Sequence, residues 1–162
     1  MLATVCTLAS GSSGNSLYIG LGDTHVLVDL GIGPRSLRRA LGEVDVKPEW
    51  LSAVVLTHEH SDHIHGLPAF RASWPHVPIL ASPGTARSIA RSALGPLARP
   101  DLRPGVETPL GALCITPVAV SHDAAQPCGF RVRCGSRHLA VFTDLGMAPV
   151  QIAQAMAGCR LL

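Results

Sequence analysis

At 162 residues, 47% of them apolar, the chain has ordinary single-domain size and enough apolar content for a core. No apolar stretch is long enough to span a bilayer, and Met1-Leu2-Ala3-Thr4-Val5-Cys6 lacks the basic start of a signal peptide. The net charge is only +2, and the five cysteines form no CxxC pair, so neither charge nor thiol spacing marks a site. The odd cysteine count and strand-like settings instead predict reduced, buried thiols in a cytoplasmic protein.

Residues 4–8 and 17–21 read as strands joined by a Gly/Ser turn, and residues 25–28 as a third strand ending at Asp29. Residues 34–41 read as a short helix with Pro34 at its start, where a missing N–H costs nothing. Ala53-Val54-Val55-Leu56 is a buried strand, followed directly by Thr57-His58-Glu59-His60-Ser61-Asp62-His63. The stretch 66–74 is helical, with a start as early as Asp62. Ser82-Pro83 caps and opens a helix running to Leu94, and the proline-rich segment 99–109 is a loop. Two further strands, 113–120 and 139–142, lead into Ser121-His122-Asp123 and Thr143-Asp144-Leu145-Gly146. A helix over 148–157 stops at Gly158. Cys159-Arg160-Leu161-Leu162 then looks like the opening of a new apolar strand, which predicts a fragment of a longer protein. Strands first, then strands interleaved with helices and no linker, predict one α/β sandwich with mixed sheets over residues 1–162.

His58, His60, Asp62 and His63 place three imidazoles and a carboxylate within six positions at the end of one strand. Imidazole nitrogen and carboxylate oxygen suit Zn²⁺, Mn²⁺ or Fe²⁺, above all in hydrolytic sites. Residues two apart in an extended segment face the same side, so His58 and His60 can close on one cation. Asp62 and His63 are neighbours, which diverge, and so suit a second ion beside the first. A helix starting nearby favours a carboxylate at Asp62. Alone, His122 is an ordinary histidine and Asp144 a turn residue ahead of Gly146. Beside the first cluster, each at the end of its own strand, both read as ligands. The plainer alternative is a surface loop rich in histidine.

These residues resemble the metallo-β-lactamase superfamily, whose HxHxDH motif stands here as His58, His60, Asp62 and His63. Val28-Asp29-Leu30-Gly31, Ser121-His122 and Thr143-Asp144-Leu145-Gly146 carry the resemblance further. Within the superfamily, Leu8-Ala9-Ser10-Gly11-Ser12-Ser13-Gly14-Asn15-Ser16 and Val120-Ser121-His122-Asp123-Ala124 are similar to the bacterial YycJ/WalJ-like exonuclease branch. The resemblance implies an α/β fold, a metallo-β-lactamase-like αββα sandwich, incomplete here in its second half. It implies two divalent metal ions, Zn or Mn with Fe as a further option. His58, His60 and His122 would bind the first, Asp62 and His63 the second, with Asp144 bridging. Asp29 would support the ligand loops by hydrogen bonding, its alternative being a strand-ending turn with Gly31. One family ligand is absent, a histidine in a Gly-His context well downstream of the bridging aspartate, so the second site is expected to be weak. His25, His65, His76 and His138 are not substitutes.

The implied activity is that of a metal-dependent hydrolase, a dinuclear phosphodiesterase or exonuclease acting on nucleic acid. Two cations roughly 3.5–4 Å apart would acidify a shared water, and Asp62, the catalytic candidate, would orient the hydroxide together with Asp144. The alternatives are a hydrolase of a small ester, thioester or lactam, and a non-catalytic, truncated metal-binding remnant. Arg35, Arg38 and Arg39 cluster on one predicted helix and Arg87 and Arg91 on another. Such groups are usually solvated faces; their functional reading is phosphate contact independent of base sequence. With three Phe, two Trp and one Tyr, aromatic side chains for base stacking are scarce. Oligomeric state is not readable from the sequence.

Overall fold

The computed structural model describes residues 3–97, 102–147 and 149–161. Two sheets lie face to face. The first has the order β1 (Thr4–Ala9), β2 (Ser16–Leu21), β3 (Thr24–Val28), β4 (Ala53–Leu56) and β5 (Ile79–Ala81). Its first three strands are antiparallel, whereas β3, β4 and β5 run parallel, so the sheet is mixed as expected. The second sheet is antiparallel and comprises β6 (Thr108–Leu110), β7 (Leu113–Ala119), β8 (Cys128–Cys134) and β9 (Arg137–Val141).

The first sheet is buried on both sides, which is why β4 is an unbroken apolar run rather than an alternating one. Leu27, Val54 and Leu56 face the helices α1 (Pro34–Gly42), α3 (Leu67–Ser73) and α4 (Pro83–Arg91), packing with Leu37, Leu41, Phe70 and Ile89. Val26, Val28, Ala53 and Val55 face the second sheet, where Ile115, Phe130, Val132 and Leu139 complete an inter-sheet core. On β9, α5 (Val150–Met156) buries Ile152.

The helix expected over 62–74 is two, α2 (Ser61–Ile64) and α3, parted at His65 and Gly66. The Gly66 N–H donates to Leu30 O at 2.7 Å, and a Cβ at Gly66 would run into Ile32 O. Contact with the β3 exit loop therefore breaks the helix. α4 opens on Ser82, whose Oγ accepts the Thr85 N–H at 3.2 Å, but it ends at Arg91 because Ser92 turns extended. Strands β5 and β8 went unread, and β6 lies within the segment expected to be loop, of which residues 99–101 fall outside the described residues. Residue 148, the expected start of the last helix, also falls outside them. Beyond Gly158, Leu161 bridges Leu139 in parallel and Ala140 N donates to Leu161 O at 3.0 Å, so the segment does run as a strand edge. All five thiols are free, but only Cys128 and Cys134 are buried, Cys6, Cys114 and Cys159 being half-buried.

Candidate metal centre

Strands β3 and β4 are parallel, so Asp29 and the Thr57–His63 loop leave the sheet at the same end. The loops after β7 and β9 reach that end from the second sheet. They are tied to each other by a bridge between Ser121 and Met147 and by Gly146 N donating to Ser121 O at 2.8 Å. Two contacts fasten the second sheet to the histidine loop: Cys128 N to Thr57 O at 3.0 Å, and Ala125 N to Glu59 Oε1 at 2.7 Å. His58, His60 and His122 consequently offer ligand atoms within 4.8 Å of one another, as do His58, His63 and Asp144. Asp62 is in neither group but lies beside the second, its Oδ2 3.3 Å from His63 Nε2. Although neighbours in sequence, Asp62 and His63 bring their side chains together, with His63 Nδ1 held 2.7 Å from Asp29 Oδ2. Among the described residues, His25, His65, His76 and His138 belong to neither group.

His58, His60 and His63 each use one nitrogen on a protein acceptor, which leaves the other facing the site. Thr57 Oγ1 donates to the Asp29 carboxylate, 2.8 Å to Oδ2, and so is free to accept His58 Nδ1–H at 2.9 Å. That arrangement exposes His58 Nε2, a buried nitrogen with no hydrogen-bond partner. His60 donates Nε2–H to Asp123 O at 3.2 Å, and His122 Nδ1 lies 3.1 Å from Asp123 Oδ1. Their remaining nitrogens, His60 Nδ1 and His122 Nε2, then face each other at 3.1 Å. One nitrogen of this pair donates to the other, and a cation taking both would displace the proton they share. His63 donates Nδ1–H to Asp29 Oδ2 at 2.7 Å, which turns Nε2 toward Asp62 Oδ2 and, at 3.1 Å, Asp144 Oδ2.

Electrostatics follow from this packing. Burial, then repulsion from His63 and His60, pulls the His58 imidazole down to about 4, so it is neutral at pH 7 and has a lone pair to give. For His63 burial works against the charged form, but the hydrogen bond and charge of Asp29, then Asp62 and Asp144, outweigh it and raise the pKa. Burial also lifts the Asp29 carboxyl above the usual carboxylate range despite His63 and the Thr57 hydrogen bonds. His58 and His63 are 2% and 0% exposed, whereas the Asp62 and Asp144 side chains are 28% and 36% exposed, so the centre opens to solvent on its acidic side.

Sequence reasoning assigned no role to Thr57, Asn15, Asp123 or Glu59. Thr57 and Asp123 sit beside ligand candidates and have the short polar side chains that orient imidazoles, which was the available signal. Asn15 lies far away in sequence, yet its Nδ2 is 3.0 Å from Asp62 Oδ2 and 3.2 Å from His63 Nε2. Its segment meets the ligand loop backbone to backbone: Asn15 N donates to Asp62 O and Gly31 N to Asn15 O, both at 2.8 Å. A Cβ on Gly31 would run into Asp62 O and Asn15 N, main-chain atoms that have no rotamer to escape by. Gly31→Ala is expected to lower stability by at least about 1–3 kcal/mol, the usual cost of overpacking. An unchanged melting temperature would contradict this close packing.

Facing sheets with helices outside, and ligand-type side chains gathered where strands from both sheets end, define a metallo-β-lactamase type of fold. The chain belongs to the beta-lactamase superfamily, with residues 24–162 matching the family described as Beta-lactamase superfamily domain. It is 34% identical over 155 residues to the exodeoxyribonuclease WalJ of Streptococcus pneumoniae serotype 2, covering 93% of this chain and 56% of that protein. It is 31% identical to the exodeoxyribonuclease YycJ of Bacillus anthracis, covering 94% of this chain and 58% of that one. The chain thus spans a little over half the length of these relatives. A metallo-beta-lactamase with a HARLDQ motif from Cronobacter sakazakii shares the fold at a TM-score of 0.72 and 17% identity, with 93% of this chain and 68% of that one covered. The fold family implies a divalent metal. The donors here fit one, since His58 Nε2 is buried without a partner and the His58, His60 and His122 ligand atoms lie within 4.8 Å of one another.

Proposed function

We propose that the chain carries the metal centre of an exodeoxyribonuclease. In this reading two divalent ions, Zn²⁺ or Mn²⁺ with Fe²⁺ as a further option, are held by His58, His60 and His122 on one side. Asp62 and His63 hold the other ion, and Asp144 lies between the two. The observation that supports it most is the convergence of the His58, His60 and His122 ligand atoms within 4.8 Å of one another, with the buried His58 Nε2 left without a hydrogen-bond partner. The likeness to two exodeoxyribonucleases favours DNA over other phosphodiesters.

Bound cations would supply Lewis acidity toward a phosphoryl oxygen and a water that ionises near neutral pH. The protein's own groups do the rest. Asp62, on the open side, accepts a proton from the attacking water and orients it, with Asp144 as the second acceptor. Asp29 and Thr57 fix the tautomers of His63 and His58, so that neither ring turns an N–H into the site. Exposed Arg35 and Arg39 on α1, and Arg87 and Arg91 on α4, are available for phosphates irrespective of base sequence. Arg38 is engaged with Glu49 at 3.5 Å and with the Trp74 ring. The five unpaired thiols support a reducing, cytoplasmic setting. Among the described residues no helix is long and apolar enough to cross a membrane.

The reading is tested by incubating the protein with Mn²⁺ or Zn²⁺ and labelled single-stranded DNA, duplex DNA and RNA, alongside a chromogenic lactam and a thioester. Progressive shortening of DNA from an end is the expected result. Turnover of the small substrates alone would overturn the nuclease assignment and leave a hydrolase on the same scaffold. Metal uptake without any turnover would leave a binding remnant.

A further inference from the structure

Resting on the two-cation reading, we propose that Asn15 is a positioning residue for the second cation, holding the Asp62 carboxylate through a carboxamide whose orientation Gly11 dictates. The Gly/Ser turn between β1 and β2 thereby acquires a role in the site.

The contact with Gly11 has two points. Gly11 N donates to Asn15 Oδ1 at 3.1 Å, and Asn15 Nδ2 donates to Gly11 O at 3.2 Å. Rotating the carboxamide by half a turn would set oxygen against oxygen and N–H against N–H, so the nitrogen end is locked toward the metal centre. A carboxamide nitrogen has two hydrogens. Gly11 O takes one, and the other faces Asp62 Oδ2 at 3.0 Å and His63 Nε2 at 3.2 Å. His63 Nε2 is the nitrogen a cation would take, displacing any proton that Asp62 and Asp144 favour there, because Nδ1–H is committed to Asp29. Once a cation takes that nitrogen, the hydrogen belongs to Asp62 Oδ2 alone.

The remaining contacts make Asn15 fit for this task. Its main chain is already fixed by Asn15 N to Asp62 O and Gly31 N to Asn15 O, so its side chain enters the site from a rigid base. Gly14, at φ 157° and packed against Gly31 O, lets the turn come that close. Asp62 needs a hold: its side chain is 28% exposed, on a four-residue helix that gives it little support of its own. The N–H of Asn15 fixes one carboxylate oxygen and restricts the rotation of the group.

The test is a calorimetric titration of the metal-free protein with Zn²⁺, for the wild type and Asn15→Ala, together with their melting temperatures. Alanine keeps both backbone hydrogen bonds and removes only the carboxamide. The expected result is a second binding step weakened by about 10–100-fold, the usual cost of losing a ligand's hydrogen-bond partner, with the first step unchanged. Two unaltered steps would overturn the role of Asn15 and leave the two-cation reading standing. Equal weakening of both steps with a fall in melting temperature would also overturn it, in favour of a purely structural role. Fewer than two steps in the wild type would overturn the two-cation reading itself, and the proposal with it. Should the variant fail to fold, the side-chain amide signals of Asn15 in wild-type ¹H–¹⁵N spectra decide the matter. They are expected to move with the second equivalent of Zn²⁺, and their indifference to it would overturn the proposal.

Discussion

Replacing His58 with alanine is expected to remove the first cation and abolish turnover. The ring is 2% exposed, its Nε2 is the buried nitrogen without a partner, and its ligand atoms fall in both converging groups. Loss of a mere hydrogen-bond partner of a ligand costs about 10–100-fold in metal affinity, so loss of this ligand is expected to exceed roughly a hundredfold. Because His58 borders both groups, the second ion is expected to weaken as well. Metal content after dialysis, measured beside DNA hydrolysis, checks this. Full activity on adding metal back to His58→Ala would refute the assignment of His58. His60→Ala is expected to behave in the same way for the first ion, since its Nδ1 faces His122 Nε2.

The second large effect is expected at Asp29. Its carboxylate is 2% exposed and receives the Thr57 N–H at 2.8 Å, the Thr57 hydroxyl at 2.8 Å and His63 Nδ1–H at 2.7 Å. Asp29→Ala strands those donors in the interior. Breaking a buried charged pair from one side typically costs about 3–5 kcal/mol. For a chain of this size each kcal/mol shifts Tm by roughly 2–4 °C, so a fall of roughly 6–20 °C is expected. Asp29→Asn separates stability from metal binding. Asparagine tolerates the left-handed backbone that Asp29 adopts at φ 64° and keeps one acceptor for Thr57. Its amide nitrogen, however, would donate toward His63 Nδ1 and favour the tautomer with a hydrogen on Nε2, where a cation needs a lone pair. This variant is expected to fold with a smaller loss of Tm and to lose the second ion. Wild-type uptake of that ion would show that Asp29 does not set the His63 tautomer.

The site was more legible in the sequence than the sheets were. His58, His60, Asp62 and His63 declare themselves because no packing requirement puts three imidazoles and an acid after a buried strand. His122 and Asp144 could be found because each follows an apolar run. The sheets were harder. Strand β5 is a three-residue apolar segment, too short for periodicity to register, and β6, of the same length, carries a proline at an edge. Strand β8 was missed although Phe130 and Val132 alternate with Arg131 and Arg133 on its two faces. The break between α2 and α3 was unreadable for a different reason. It is imposed by Leu30 and Ile32, residues more than thirty positions away, through the backbone of Gly66. The same limit hid Asn15, whose bond to Asp62 spans 47 positions. Local pattern shows which side chains are unusual, whereas contact across loops shows which ones hold them.

Anomalous diffraction from crystals soaked in Mn²⁺ or Zn²⁺ tests the shared cation pair most directly. The geometry calls for one peak enclosed by the imidazoles of residues 58, 60 and 122 and a neighbouring peak against Asp62, His63 and Asp144. Density that appears only on scattered surface histidines, with these six side chains left bare, would contradict it.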